Sequence, residues 1–140
     1  MATFRVDFLG CKVSHTDVHE VREALLRDGH AEDGSGRADV AVISTCCVTN
    51  EALAKSRKAA TRAARTHSRV YVTGCGANLR GDAFAGLPAN VTVVAKRSEE
   101  TASFVAGDVG VIGCVQADAR IDRVRAFVKI QDGCSFSCNF

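Results

Sequence analysis

Asp39-Val40-Ala41-Val42-Ile43-Ser44-Thr45-Cys46 is the stretch on which the fold of this chain turns. Val40 to Ile43 is an unbroken apolar run, and three of its four residues are β-branched. A strand with one face in water alternates apolar and polar residues. An unbroken run suits a strand buried on both faces of a parallel sheet. Parallel neighbours need crossover segments, and both flanks supply them.

Upstream, Phe4-Arg5-Val6-Asp7-Phe8-Leu9 alternates before turning apolar, which predicts a first strand stopped by Gly10. Ser14 is expected to open and cap a helix, with Asp17 favouring its positive end. Val18, Val21 and Leu25 give that helix one buried face, and Gly29 is its natural stop. A polar connection over residues 30–38 leads to the central strand. Downstream, a second helix is expected from about residue 51 to 66, then a strand over 69–73 ending in Gly74-Cys75-Gly76. A short helix around 78–84, a fourth strand over 91–94 and a helix opened by Ser98-Glu99-Glu100 follow. Residues 109–112 read equally as a strand or a linker. This alternation predicts an α/β fold, a Rossmann-like parallel sheet flanked by helices, over residues 1–113. Residues 114–125 read as a linker. Residues 126–140 begin something else: a strand, then a loop.

The chain has 140 residues, 46% apolar and 24% charged, the balance of an ordinary globular domain. No apolar run approaches the roughly 18 residues of a membrane span, and the start lacks the pattern of a secretory signal. A cytoplasmic protein with reduced thiols is the expectation. Seven cysteines are many for such a chain, odd in number and dispersed, which points to metal, cluster or catalytic chemistry over a disulfide scaffold.

Cys11, Cys46 and Cys75 each fall just beyond the C-terminal end of a predicted parallel strand. Right-handed crossovers bring all such ends to one edge, where sheets of this kind bind ligands. Three thiols there form a soft-ligand site, suited to zinc or to an iron–sulfur cluster with one open iron. The plainer alternative is three cysteines acting as small apolar residues. Cys47 is a spare thiol, and spacing does not choose between it and Cys46. His15 lies close enough to complete a zinc site but reads as a solvated residue of the first helix turn; His19, His30 and His67 also read as surface groups.

Lys55, Lys58, Arg62, Arg65 and Arg69 recur at helical spacing and share an arc of about 80° if the second helix runs that far. An ordinary solvated face explains such a stripe; contact with nucleic-acid phosphate is the second reading. No aromatic residues interleave with it, so base stacking is not indicated. Near the end, Cys134 and Cys138 form a Cys-x-x-x-Cys loop, which reads either as two free thiols or as part of a cluster-binding loop.

Four stretches resemble the N-terminal part of radical S-adenosylmethionine methylthiotransferases: Gly10-Cys11-Lys12-Val13, Ser44-Thr45-Cys46 with Val48-Thr49-Asn50, Val72-Thr73-Gly74-Cys75, and Lys129-Ile130-Gln131-Asp132-Gly133-Cys134 with Cys138. Gly10-Cys11-Lys12-Val13, Lys55-Ser56-Arg57 and the run from Phe127 to Gly133 most resemble the branch acting on threonylcarbamoyladenosine beside the tRNA anticodon. The resemblance implies that Cys11, Cys46 and Cys75 hold an auxiliary 4Fe–4S cluster, and it favours Cys46 over Cys47. Cys134 and Cys138 match two ligands of a second 4Fe–4S cluster, the one that binds and cleaves S-adenosylmethionine. Residues 126–140 then match the first strand and cluster loop of a radical-SAM barrel. Ser14-His15 and Gly76 depart from the usual family residues, and the third cysteine of the radical cluster is missing. The expected whole is the N-terminal part of a tRNA methylthiotransferase, inactive alone, with tRNA and S-adenosylmethionine as partners; the residues name neither electron donor nor sulfur source. A non-catalytic zinc or iron–sulfur module, or a sister enzyme modifying a ribosomal-protein aspartate, are the alternatives.

Overall fold

The central strand is buried at all six positions, Val40 to Thr45. In the computed structural model, which describes residues 1–79, 82–111, 128 and 130, it lies in the middle of a five-stranded parallel sheet. The elements in chain order are β1 (Thr3–Phe8), α1 (Lys12–Arg27), β2 (Ala31–Glu32), β3 (Val40–Thr45), α2 (Asn50–Ala63), β4 (Arg69–Gly74), β5 (Val91–Val93) and α3 (Ser98–Val109). The strand order is β2-β1-β3-β4-β5, every pairing parallel.

Alternation along β3 divides the core in two. Val40 and Val42 face one side, packed with Phe4, Val21, Leu25, Tyr71, Ala102 and Val105 from the neighbouring strands, α1 and α3. Ala41 and Ile43 face the other side, packed with Ala60 and Ala63 of α2, and with Val70, Val72 and Phe84. Each fully buried Val, Leu or Ile contributes roughly 1.5–3 kcal/mol through lost apolar exposure. Ala60 and Ala63 are the small α2 residues buried in this cluster.

Several boundaries differ from the sequence expectations. α1 starts at Lys12, with Cys11 in the capping place; Ser14 lies one turn inside, its hydroxyl accepting from the Cys11 amide at 3.2 Å. At its other end Gly29 adopts φ 90° and its amide donates to the Leu26 carbonyl, the stop that was expected. β2 lies inside the supposed polar connection. Residues 78, 79 and 82–84 form turns, not a helix. α2 ends at Ala63, and α3 extends through Val109 with Arg97, not Ser98, in the capping place.

Two of the four histidines are buried rather than surface groups. The His67 Nδ1 lies 2.6 Å from the Ala38 carbonyl, and the His30 Nε2 lies 2.6 Å from the Gly110 carbonyl. Each imidazole joins segments far apart in sequence, which explains its burial. His15 is half-buried, its ring edge-on to Phe8 at 5.0 Å and 4.5 Å from the His19 ring. The linker over 114–125, the barrel start over 126–140, and Cys134 and Cys138 with it, lie outside the described residues, Val128 and Ile130 apart. Among the described residues, no helix is long and apolar enough to cross a membrane.

Candidate functional site

Three strands end where three cysteines begin. β1 stops at Phe8 and Cys11 lies three residues on; β3 stops at Thr45 and Cys46 is next; β4 stops at Gly74 and Cys75 is next. Because β1, β3 and β4 are adjacent and parallel, these ends share one edge. Cys11 and Cys75 are exposed, while Cys46 and Cys47 are half-buried.

Each loop is held by identifiable contacts. Cys11 is extended (φ −92°, ψ 176°), and the Ser14 hydroxyl folds back beneath it, 3.5 Å from the Cys11 Sγ. Ser56 of α2, fully buried, accepts from the Cys46 amide at 3.3 Å while donating to the Ala52 carbonyl at 2.9 Å. The Cys75 loop is pressed onto β3. Gly74 has φ 87°, and a Cβ there would stand 2.8 Å from the Thr45 carbonyl oxygen. A Cβ on Gly76 would stand 2.6 Å from the Thr45 Oγ1. That hydroxyl is itself committed, donating to the Thr73 carbonyl at 2.6 Å. Asn78 completes the clamp, donating to the Gly74 and Lys96 carbonyls at 3.1 and 3.3 Å.

The thiols sense one another. Partial burial pushes the Cys75 thiol above its ordinary range, and the negative charges of Cys47, Cys11 and Cys46, in that order, push it the same way, with Asp17 adding to them. Among the described residues, no three His, Cys, Asp or Glu side chains converge tightly enough for a single metal ion. With metal–sulfur bonds of about 2.3 Å, one ion requires thiolates within about 4 Å of each other. A 4Fe–4S cluster binds each thiolate at its own iron and takes a wider set. The donor chemistry of this edge, soft thiols on three separate loops, fits such a group. So does the Ser44 hydroxyl, which is 1% exposed, stands 3.0 Å from where a Gly74 Cβ would lie, and makes no hydrogen bond among the described residues.

The basic residues are only partly brought together. Lys58 and Arg62 are exposed on α2, and Arg65 follows in the turn after it. Lys55 is exposed and pairs with Glu51 at 2.8 Å. Arg69 does not continue the stripe: it opens β4 at the edge opposite the cysteines, where it donates to the Asp108 backbone carbonyl at 2.9 Å. Arg57, which is not part of the predicted stripe, donates to the Ala83 and Ala85 carbonyls. Ser56 and Asn78, which position cysteine loops, were not singled out as site residues. Ser56 carried one signal, a hydroxyl on the alanine-lined arc of α2, whereas the partners of Asn78 give no local pattern.

Comparison with known proteins covers the stretch that carries these cysteines. The family described as "Uncharacterized protein family UPF0004" matches residues 3–96. The threonylcarbamoyladenosine tRNA methylthiotransferase MtaB of Bacillus subtilis is 32% identical over 100% of this chain and 35% of its own length. The MtaB protein of Chlamydia pneumoniae is 30% identical over 99% of the chain and 34% of its own. A ribosomal protein uS12 methylthiotransferase RimO of Acidithiobacillus ferrooxidans is 30% identical over 94% of the chain and 32% of its own. The chain thus spans about a third of the length of these curated relatives. With two thirds of its residues inside the family match, the chain belongs to UPF0004, the family of methylthiotransferase N-terminal domains.

Proposed function

We propose that this chain is the N-terminal part of a radical S-adenosylmethionine methylthiotransferase acting on threonylcarbamoyladenosine of tRNA, in which Cys11, Cys46 and Cys75 hold an auxiliary 4Fe–4S cluster. The observation that carries the reading is the arrival of three cysteines at the C-terminal ends of three adjacent parallel strands. When bound, that cluster supplies an iron–sulfur surface on which the sulfur to be inserted is held.

The chain's own residues have definite tasks in this reading. Each thiol gives up its proton on ligation, so the raised Cys75 thiol stays protonated until the group arrives. Ser56 and the Gly74-to-Gly76 clamp fix where Cys46 and Cys75 begin. The Ser44 hydroxyl is available to donate toward bound sulfur, the outer contact that tunes such sites. Cys134 and Cys138 would serve the second cluster, with S-adenosylmethionine as its partner.

Relatives named for tRNA and for a ribosomal protein match at similar identity. The exposed cations Lys58, Arg62 and Arg65 favour RNA. The test is anaerobic reconstitution of the chain carrying Cys134→Ser and Cys138→Ser, followed by iron and labile-sulfide counts. About four of each per chain, lost on Cys11→Ala or Cys75→Ala, is the expected result. One zinc without sulfide would make the domain a structural metal module, and neither metal would overturn the proposal.

A further inference from the structure

Lys12, Lys96 and Arg97 are exposed, and the functional reading gives them no task. All three follow strands at the edge where the cysteines lie. Lys12 comes directly after Cys11, beyond β1. Lys96 and Arg97 come after β5, whose pairing with β4 continues in the Val94 amide, bonded to the Val72 carbonyl at 2.8 Å. β1 and β5 stand three inter-strand steps apart, about 14 Å at the spacing of a sheet, with the cysteine loops of β3 and β4 between them. The charge of this edge is one-sided. Residues 9–15, 46–49, 75–79 and 94–97 leave the four strands here, and they hold these three cations and no carboxylate. Glu51 is paired with Lys55 at 2.8 Å, while Asp17, Glu99 and Glu100 fall inside α1 and α3. Among the described residues, none of the three cations forms an ion pair.

Local stability does not explain these placements. Lys12 opens α1 at the end where the helix dipole disfavours a cation, and the first turn of α1 has no acidic residue to offset it. The Lys96 Nζ lies 5.5 Å over the ring of the exposed Phe104. Its carbonyl accepts from the Thr101 hydroxyl at 3.2 Å and from the Asn78 amide at 3.3 Å. Asn78 also donates to Gly74, the residue before Cys75, so the cation pair and the Cys75 loop share one frame. We propose that the cysteine edge is itself a phosphate-contacting surface, on which Lys12 at one flank and Lys96 with Arg97 at the other seat the RNA backbone across the three thiols. Cations on both flanks, with no carboxylate between them, suit a flexible polyanion that crosses the edge. No Phe, Tyr or Trp lies in these four segments, so the contact is to backbone and not to stacked bases. In this arrangement α2 draws the RNA in, and the edge cations place it.

The inference rests on the reading of RNA as substrate, and the experiment tells the two failures apart. The 140-residue chain carrying Cys134→Ser and Cys138→Ser is reconstituted anaerobically, as parent and with Lys12→Gln, Lys96→Gln and Arg97→Gln combined. Folding is checked by circular dichroism, and iron and labile sulfide are counted. Binding of a labelled anticodon stem-loop is titrated across a salt series. The triple variant is expected to keep its iron and to lose about 2 from the slope of log affinity against log salt, about 0.7 for each cation. In the parent, the stem-loop is expected to slow acetylation of Lys12 and Lys96 several-fold, mapped by mass spectrometry. A parent that binds with both lysines unprotected, and a variant with the same slope, overturn the inference and leave the functional reading intact. Loss of iron in the variant without loss of binding also overturns it, by making these cations partners of the thiolates. Equal protection by polyglutamate overturns the assignment to phosphate. A parent that holds iron but binds no stem-loop overturns the inference together with the RNA part of the functional reading.

Discussion

Cys75 carries two opposing properties: it is exposed to solvent, yet its thiol is harder to ionise than an ordinary one. Partial burial is the first cause, and three neighbouring thiols add to it. Because the folded chain raises the pKa of this thiol above its unfolded value, the native state holds the proton more tightly. Its contribution to stability is full below the unfolded value and is lost as pH rises through the folded one. Two outcomes follow for the metal-free protein. Iodoacetamide should modify Cys75 at pH 8 more slowly than it modifies the same residue in urea, despite its exposure. The melting temperature should fall as pH is raised from 8 toward 10, and less so in Cys75→Ser. Peptide mapping of the alkylated chain measures the first, and thermal melts measure the second. Equal rates in the folded and unfolded chains would refute the account. Tyr71 shows the same physics deeper in the fold: burial and its hydrogen bond to Asp108 push its hydroxyl up to about 12.

Among the elements, β3 and the loops above β3 and β4 hold the candidate site together. Gly76 is the test of how tightly. A methyl there would meet the Thr45 Oγ1 at 2.6 Å, the Thr45 Cβ at 3.1 Å and the Phe84 ring at 3.3 Å. Thr45 is wholly buried and its hydroxyl is already bonded, so it has little room to yield. Gly76→Ala should therefore cost about 1–3 kcal/mol, the range for overpacking, read from urea unfolding. A variant as stable as the parent would mean that the Cys75 loop can lift off β3. The unbroken apolar run that identifies β3 was fully legible, because burial on both faces leaves a compositional mark. So was the placement of Cys11, Cys46 and Cys75, since parallel topology alone sends strand ends to one edge. The two-residue β2 was not, as two residues carry no period; backbone bonds such as Ala31 N–H to the Ala2 carbonyl define it. The burial of His67 was hidden for a related reason: its partner, Ala38, lies 29 residues away. The end of α2 at Ala63 decided whether Arg69 joined the stripe, and nothing in a run of alanines and arginines marks that end.

At the scale of the whole molecule, the two proposed contacts lie on different surfaces. The cysteines occupy the C-terminal edge of the sheet, while α2 packs on one face and carries Lys58 and Arg62 outward, with Arg65 just beyond. The net charge is only +2, so attraction to RNA must come from this local grouping and not from the chain as a whole. Each cation that neutralises a phosphate of a single strand releases counterions and adds about 0.7 to the slope of log affinity against log salt. Three such cations account for a slope of about 2. We predict that the chain binds a labelled anticodon stem-loop with a salt slope that falls by about 2 when Lys58→Gln, Arg62→Gln and Arg65→Gln are combined. Arg69→Gln should leave the slope unchanged, because Arg69 lies at the opposite end of its strand and is engaged by Asp108. Fluorescence anisotropy titrations across a salt series provide the measurement. Equal slopes for the triple variant and the parent would return α2 to an ordinary solvated face. A loss shared by Arg69→Gln would instead locate the RNA at the other edge of the sheet, away from the cysteines.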